Sequence, residues 1–346
     1  MASVCVNCFG DKELKGYINS QPTISKCDFC SFIDVPTIDI SELFDFFNEL
    51  LSNFQSKDGG QTLRSIIQSH WNLFSSLDSN YKILNYVISQ IDTHLLSADD
   101  LVDFSDEILE NISYWDKLKH QLMWEKRYLT DISYLTEDLG WDGFFSNQVP
   151  IARDAELFRA RLHHKSNEAA YSPSEMFCPP QDISTAGRAN PSGIPYLYLS
   201  DNEETILYEI RASYLDEISI GTFSLKAELE ELVYVSDFTE SPTIFHPSKV
   251  NSRIKSSLLK EKISLDLSKP MRRYDLELDY IPTQFICEFI KVYTGVQGIK
   301  FRSSLHTVGN NIVLFDQQLV ECKSIKKVKV KKVQISVCAL PLTYGL

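Results

Sequence analysis

From Asp39 to about Leu139, apolar side chains recur every three or four residues, the spacing that places them on one face of a helix. The pattern predicts three helices, with apolar positions at Leu43, Phe46, Phe47, Leu50, Leu51 and Phe54, then Leu63, Ile66, Ile67, Phe74 and Leu77, then Tyr81, Leu84, Ile88, Ile91 and Leu95. Turn-forming residues separate them at 58–60 and 78–80, and Asp99 or Asp100 is expected to open a fourth helix. Residues 39–140 are therefore predicted to form a helical bundle.

The pattern changes after a stretch with two glycines and a proline between Gly140 and Pro150, so that 141–154 is expected to be a linker. Short runs of β-forming residues follow it, with helices between some of them, at Leu157–Leu162, Tyr196–Ser200, Ile218–Leu225, Leu232–Val235, Gly298–Phe301 and Ile312–Phe315. Near the end, Lys327, Lys329 and Lys331 alternate with valines, which predicts a strand with a solvated lysine face. Residues 155–346 are predicted to form a mixed α/β domain, and the whole chain an α+β protein.

Four of the eight cysteines lie in the first thirty residues as two Cys-x-x-Cys pairs, Cys5 with Cys8 and Cys27 with Cys30. Eighteen residues separate the pairs, which is within the spacing of four-cysteine zinc sites. Residues 1–38 are too short to bury a core, so a structural zinc would supply their folding energy. The sequence therefore predicts a zinc-ribbon-like segment, and the alternative is two redox-active or incidental pairs.

Charge and hydropathy limit the classes of partner and the cellular compartment that we expect for this chain. The 346 residues suffice for about two domains, and their net charge of −13 disfavours nucleic acid as a main partner. No basic segment followed by an apolar run marks a signal peptide, and no apolar run approaches the roughly 18 residues of a membrane span. We therefore expect a cytoplasmic protein with reduced thiols and no membrane partner.

Polar residues interrupt the predicted strands and turns of the α/β domain in a distinctive order. The segments are Leu157–Arg161, Gly187–Ser200 with a helix that holds Glu209, the predicted helix Tyr280–Glu288, and Gly298–Ser304 with Gly309–Phe315. Over roughly residues 155–335 they resemble the RES domain, which is named for its Arg, Glu and Ser. The helical region before it resembles an N-terminal domain that accompanies some RES domains.

The resemblance implies a fold related to ADP-ribosyltransferases and an enzyme that cleaves NAD, often a bacterial toxin. The residues that match the family's catalytic positions are Arg159, Tyr198, Glu209 and Ser303, and the candidate cofactor contacts are Arg161, Arg188, Asn190 and Asn311. Arg159 is assigned to the pyrophosphate, with Arg161 as its alternate, and Ser304 is the alternate to Ser303. Tyr198 would pack on the nicotinamide side, and Glu209 would hold the ribose.

These residue types suit the chemistry. Nicotinamide is already a cationic leaving group and needs no general acid, whereas the oxocarbenium-like transition state is stabilised by a nearby carboxylate. Hydrolysis, phosphorolysis and ADP-ribose transfer differ only in the nucleophile, so all three remain open. An antitoxin or other inhibitor protein is implied by the family, and a homo-oligomer is left open.

Two other functions compete with NAD cleavage. Arg64 and His70 loosely resemble the HEPN ribonuclease motif, although His70 falls at the apolar spacing of its predicted helix and the net charge argues against RNA. Alternatively, the chain is a binding module whose RES-like domain is inactive. The combination of Arg159, Tyr198, Glu209 and Ser303 speaks against that alternative.

Overall fold

The computed structural model describes residues 2–145, 148–239, 243–269 and 277–334. They divide into two compact units. The first unit takes its described residues from 1–147 and 238–266, and the second from 148–237 and 267–346. The first unit thus contains both the predicted zinc-ribbon-like segment and the predicted bundle, together with a stretch from the predicted α/β domain.

Helices and small sheets make up the first unit. Its strands are β1 (Ser3–Cys5), β2 (Ile24–Ser25), β3 (Val35–Asp39), β4 (Phe54–Thr62) and β5 (Leu101–Phe104), and its helices are α1 (Lys12–Asn19), α2 (Phe44–Leu51), α3 (Leu63–Trp71), α4 (Leu77–Gln90), α5 (Asp106–Trp124), α6 (Trp141–Phe144) and α8 (Val250–Ser268). The last two residues of α8 belong to the second unit. One apolar core runs from Val4 to Leu258 along the chain.

The structure differs from the predicted bundle in two places. Residues 54–62 form strand β4, which pairs with β5, where the sequence predicted a helix end and a turn. The fourth helix begins at Asp106 and not near Asp99, because the Asp100 carboxylate accepts hydrogen bonds from the Leu96 amide and the Ser97 hydroxyl inside the preceding turn. In the predicted linker, the buried Trp141 and Phe144 form α6.

The second unit contains one large mixed sheet. Its strands are β6 (Gln148–Pro150), β7 (Leu157–Leu162), β8 (Leu197–Ser200), β9 (Glu217–Leu225), β10 (Tyr234–Asp237), β11 (Gly298–Arg302), β12 (Asn310–Leu314) and β13 (Val320–Lys329), and its helices are α7 (Glu203–Glu209) and α9 (Ile281–Thr294). The strand order is β13-β9-β7-β8-β12-β11-β10-β6. Most predicted strands of this domain are confirmed, but β10 begins two residues after the predicted Leu232 and β13 ends at Lys329, before Lys331. The fold class is α+β.

The sheet is nearly open between β7 and β8. These strands share one pair among the described residues, Phe158 with Ser200, whereas β7 and β9 pair over six positions. Separate apolar clusters cover the two faces. Leu157, Leu197 and Leu199 belong to one cluster, and Ala160, Ile218 and Ile220 belong to the other. Among the described residues, no helix is both long and apolar enough to cross a membrane.

Candidate active site

Strand register places three of the site's side chains on one face of the sheet. Tyr198 and Ser200 share a face of β8, and Ser200 pairs with Asn311 of β12. Asn311 in turn pairs with Phe301 of β11. Because side chains at paired positions point to the same face, Tyr198, Asn311 and Phe301 are neighbours on it. Ser303 follows Phe301 by two residues, just past the end of β11.

Glu209 is the last residue of α7 and is held by two hydrogen bonds. Its Oε1 accepts from the Ser303 hydroxyl at 2.7 Å and from the Asn311 amide at 2.8 Å. The helix begins at the Asn202 cap, whose side chain accepts from the Thr205 amide. Ser303, Glu209 and Asn311, all candidate site residues from the sequence, therefore form one network although they are far apart along the chain.

The Tyr198 hydroxyl is fixed by a loop that precedes its strand. It donates to Asn190 Oδ1 at 2.8 Å and accepts from the Ala189 amide at 2.9 Å. Burial raises the pKa of Tyr198 above its usual value. At Gly187 a Cβ would stand 2.6 Å from the Tyr198 hydroxyl, so only glycine permits this approach.

Helix α9 holds the same loop from behind. Gln284 Nε2 donates to the carbonyls of Gly187 at 2.8 Å and Asn190 at 3.0 Å, and Thr283 donates to the Arg188 carbonyl at 2.7 Å. Asn190 is itself buried, and its amide donates to the carbonyls of Thr185 and Pro191. Asn190 thus orients Tyr198 and the loop.

A cavity of about 490 Å³ lies in front of this network. Among the described residues, its lining carries two guanidinium groups and one carboxylate: Arg188, Arg211 and Glu209. The lining is completed by Gly187, Tyr198, Leu199, Ile206, Leu267, Ser268, Tyr280, Phe301, Ser304, Leu305 and Asn311. Because the net charge of the chain is −13, this surplus of positive charge is local and favours an anionic ligand.

The two arginines of the cavity differ in how they are held. Arg188 Nη1 donates to the Leu267 carbonyl at 2.8 Å, and burial lowers the pKa of Arg188 while Tyr280 and Glu209 raise it. Arg211 follows α7 with a left-handed backbone, φ 54°, a conformation that costs a residue with a side chain about 1 kcal/mol or more. Arg211 was not among the residues predicted from the sequence, although it lies two positions after Glu209.

Arg159 and Arg161 lie outside the lining of this cavity. Phe158 shares the face of Tyr198 and Asn311, so alternation along β7 directs Arg159 and Arg161 to the other face. Arg159 Nη1 donates to the Tyr198 carbonyl at 3.3 Å, at the place where β7 and β8 separate. Arg161 bonds the Glu175 carbonyl and lies over the Tyr171 ring.

The alternate serine has a different partner. Ser304 bonds the Ser268 carbonyl, whereas the buried Ser303 bonds Glu209. The geometry therefore favours Ser303 as the counterpart of the family serine. Thr205 and His306, which were not predicted, join the Ser303 loop to α7.

The four cysteines of the first unit converge as their spacing predicts. Cys5 is the last residue of β1 and Cys8 follows it by one turn, while Cys27 and Cys30 lie between β2 and β3. Their Sγ atoms all lie within 4.8 Å of one another, as the ligands of one metal ion would. Hydrogen bonds from Cys5 and Cys8 lower the pKa of Cys27, which favours a thiolate. The cluster can hold a metal ion.

The residues of the ribonuclease alternative are engaged in other contacts. Arg64 forms an ion pair with Asp99 at 2.6 Å and lies over the Tyr81 ring. His70 bonds Glu261 at 3.2 Å and packs against Trp71 and Phe104. Both side chains have structural roles in the first unit.

Comparison with known proteins identifies the second unit. The family model of the RES domain matches residues 156–336, slightly more than half of the chain. The chain therefore belongs to the RES-domain family. No curated protein matches it. The M. tuberculosis MbcT–MbcA toxin–antitoxin complex aligns at 12% identity and a TM-score of 0.30, over 56% of this chain and 92% of the other. A TM-score this low does not establish a shared fold.

Proposed function

We propose that the second unit cleaves the bond between nicotinamide and ribose in NAD. The observation that supports this most directly is the Glu209 carboxylate, which is oriented by Ser303 and Asn311 at the wall of a cationic cavity. As nicotinamide leaves with the bonding electrons, positive charge develops on the ribose. A fixed carboxylate beside that carbon stabilises the charge.

Each group of the site then has a role. Ser303 and Asn311 hold Glu209 in one orientation, so that little reorganisation is needed as the charge develops. Tyr198, whose hydroxyl is held by Asn190 and Ala189, offers a ring face to the nicotinamide side. Water or phosphate attacks the ribose carbon, and a proton passes to solvent in the case of water. The sheet and the motifs of the second unit are consistent with the ADP-ribosyltransferase-like fold that the resemblance implies.

The pyrophosphate is assigned to the arginines of the cavity. Arg188 and Arg211 line the same space as Glu209, and a guanidinium binds phosphate oxygens through its planar pair of N–H groups. Arg159 instead supports the strand of Tyr198 through the carbonyl that it bonds. In this arrangement Arg159 acts on the ligand indirectly, and Arg161, which bonds Glu175, has no part in binding it.

The decisive experiment is incubation of the purified chain with NAD, with and without phosphate, and identification of the products by mass. Free nicotinamide with ADP-ribose indicates hydrolysis, ADP-ribose phosphorylated at the ribose indicates phosphorolysis, and ADP-ribose attached to protein indicates transfer. His70→Ala is the control for the ribonuclease alternative and should still consume NAD. Intact NAD after incubation, with degraded RNA that depends on His70, would overturn the proposal.

The biological role proposed for this activity is that of a cytoplasmic toxin held in check by an antitoxin or other inhibitor protein. Loss of NAD would stop growth, so expression without the inhibitor should be toxic and Glu209→Gln should relieve the toxicity. In the first unit, Cys5, Cys8, Cys27 and Cys30 would bind one structural zinc, because four thiolates leave no open position for catalysis.

A further inference from the structure

His306 connects the loop that carries Ser303 to the helix that carries Glu209. Its ring stacks on that of Tyr208, with centroids 4.8 Å apart and planes 6° from parallel. Its Nδ1 lies 2.8 Å from Thr205 Oγ1. The side chain of His306 is 16% exposed, so water competes little for these contacts.

The helix needs such contacts because it is short. With the seven residues Glu203–Glu209, α7 is well below the length at which an isolated helix is stable in water. His306 contacts it at Tyr208, directly before Glu209, and at Thr205, one turn earlier. Both contacts therefore bear on the turn that ends in the proposed catalytic carboxylate.

The main chain of His306 also fixes Ser303. The amides of Leu305 and His306 donate to Ser303 Oγ at 3.2 and 3.1 Å. With these donors on its oxygen, the hydroxyl gives its own proton to Glu209 Oε1 at 2.7 Å. His306 thus acts on both partners of this bond, on Ser303 through its amide and on Glu209 through α7.

Gly309 shows how closely the loop approaches the helix. A Cβ there would lie 2.1 Å from Thr205 Oγ1 and 2.7 Å from the Asn202 Cβ. The loop backbone therefore lies directly against the first turn of α7. A hydrogen bond of 3.3 Å from the Ser303 amide to the Gly309 carbonyl joins the two ends of the loop.

We propose that His306 is a positioning residue that sets the relative placement of Ser303 and Glu209. This inference rests on the proposed cleavage of NAD by these residues. Because Glu209 acts on charge that develops in the transition state, its misplacement should lower turnover and leave substrate binding nearly unchanged. A residue that only stabilised the fold would lower the melting temperature without this separation of kcat from KM.

Three variants test the contact. His306→Phe keeps a ring for Tyr208 and removes Nδ1, His306→Asn keeps a polar atom near the position of Nδ1, and Thr205→Val removes the hydroxyl on the helix. His164→Phe, in an exposed loop of the same unit, is the matched control. The measurements are kcat and KM for NAD and the melting temperature of each variant.

We expect His306→Phe to lower kcat about tenfold, the ratio that corresponds to one net hydrogen bond, with KM changed by about twofold or less. His306→Asn keeps the polar atom but loses the ring that stacks on Tyr208, so it should also turn over more slowly than the wild type. The double variant of His306→Phe and Thr205→Val should be no slower than the slower single variant, because both remove the same contact. His164→Phe should match the wild type.

The outcomes separate the two proposals. If the wild type cleaves NAD and a folded His306→Phe keeps kcat within about twofold, the positioning role is overturned while the proposed function stands. If His306→Phe does not fold, Thr205→Val and His306→Asn decide by the same criterion, a lower kcat with KM nearly unchanged. If the wild type leaves NAD intact, both proposals fail.

Discussion

The Ser303 hydroxyl donates to Glu209 Oε1 at 2.7 Å, across a separation of 94 residues. Ser303 directly follows the last residue of β11, and Glu209 is the last residue of α7. Asn311 donates to the same oxygen at 2.8 Å. Because one oxygen takes both bonds, the orientation of the carboxylate depends on the hairpin β11–β12 that carries both donors.

This relationship predicts the effect of removing the charge from Glu209. Glu209→Gln keeps the size of the side chain and should lower NAD turnover by about two orders of magnitude or more, the effect of one key electrostatic group in a transition state. Steady-state kinetics on the folded variant measure it. Glu203→Gln on the same helix removes only a surface ion pair with Lys326 and is the control. Near-normal turnover in Glu209→Gln would show that Glu209 is not the stabilising carboxylate.

Arg211 can be tested by a substitution that its backbone accepts. Arg211→Gly removes the guanidinium at a position whose φ of 54° favours glycine, so the backbone is not strained by the change. Loss of a charged hydrogen bond to the pyrophosphate should raise KM for NAD about tenfold or more. Arg153→Gly, outside the lining of the cavity, is the control for loss of an arginine. An unchanged KM would remove Arg211 from the binding site.

The close packing at Gly309 predicts that a larger residue there would disturb the network of Ser303 and Glu209. Gly309→Ala places a Cβ 2.1 Å from Thr205 Oγ1, so the loop or α7 must move. We expect a cost of about 1–3 kcal/mol in the free energy of unfolding, as for other overpacked positions, and a lower kcat. Thermal unfolding and kinetics measure the two effects.

The control for this change is Gly16→Ala within α1. Gly16 has no atom within 4 Å of a built Cβ, and alanine is the better helix former by about 0.5–1 kcal/mol. Gly16→Ala should therefore stabilise the protein. If Gly309→Ala were as stable and active as the wild type, the close approach of loop and helix would be refuted.

The cysteine cluster predicts one zinc per chain in protein purified without chelator. Cys5→Ser should lose the metal and lower the thermal stability of the first unit, because zinc supplies the folding energy of its small sheet. Metal analysis and unfolding curves check this. Cys322→Ser, a half-buried cysteine outside the cluster, should keep the metal. Wild-type protein without metal would contradict the prediction.

Acid should release the same zinc. The ligands bind as thiolates, so protons compete with the metal and affinity falls as the pH is lowered. Titration with a zinc indicator from neutral to acidic pH measures the release. The four cysteines should lose the metal in one step, because removal of one ligand breaks the tetrahedral site. Zinc release that did not depend on pH would argue against thiolate ligation.

Local patterns were enough to predict most elements of the second unit. The predicted strands at 157–162, 218–225 and 298–301 agree with β7, β9 and β11 to within one residue at each end, because alternation and β-branched residues are local properties. The Cys-x-x-Cys pairs likewise predicted a cluster that the structure brings together. The strand at 54–62 was missed, since its polar residues and two glycines show no apolar alternation and its bulged ribbon depends on pairing with β5.

By itself, the sequence determined the fold class, the convergence of the four cysteines and the candidate residues Tyr198, Glu209 and Ser303, because spacing and motif order are written along the chain. Tertiary structure alone decided which of them meet. Strand register directs the Arg159 side chain to the face of the sheet away from Glu209. Arg211, which has a left-handed backbone just after α7, lines the cavity. The approach of a loop to a helix brought His306 to Thr205 across 101 residues. Such contacts depend on packing between distant segments, for which no local pattern exists.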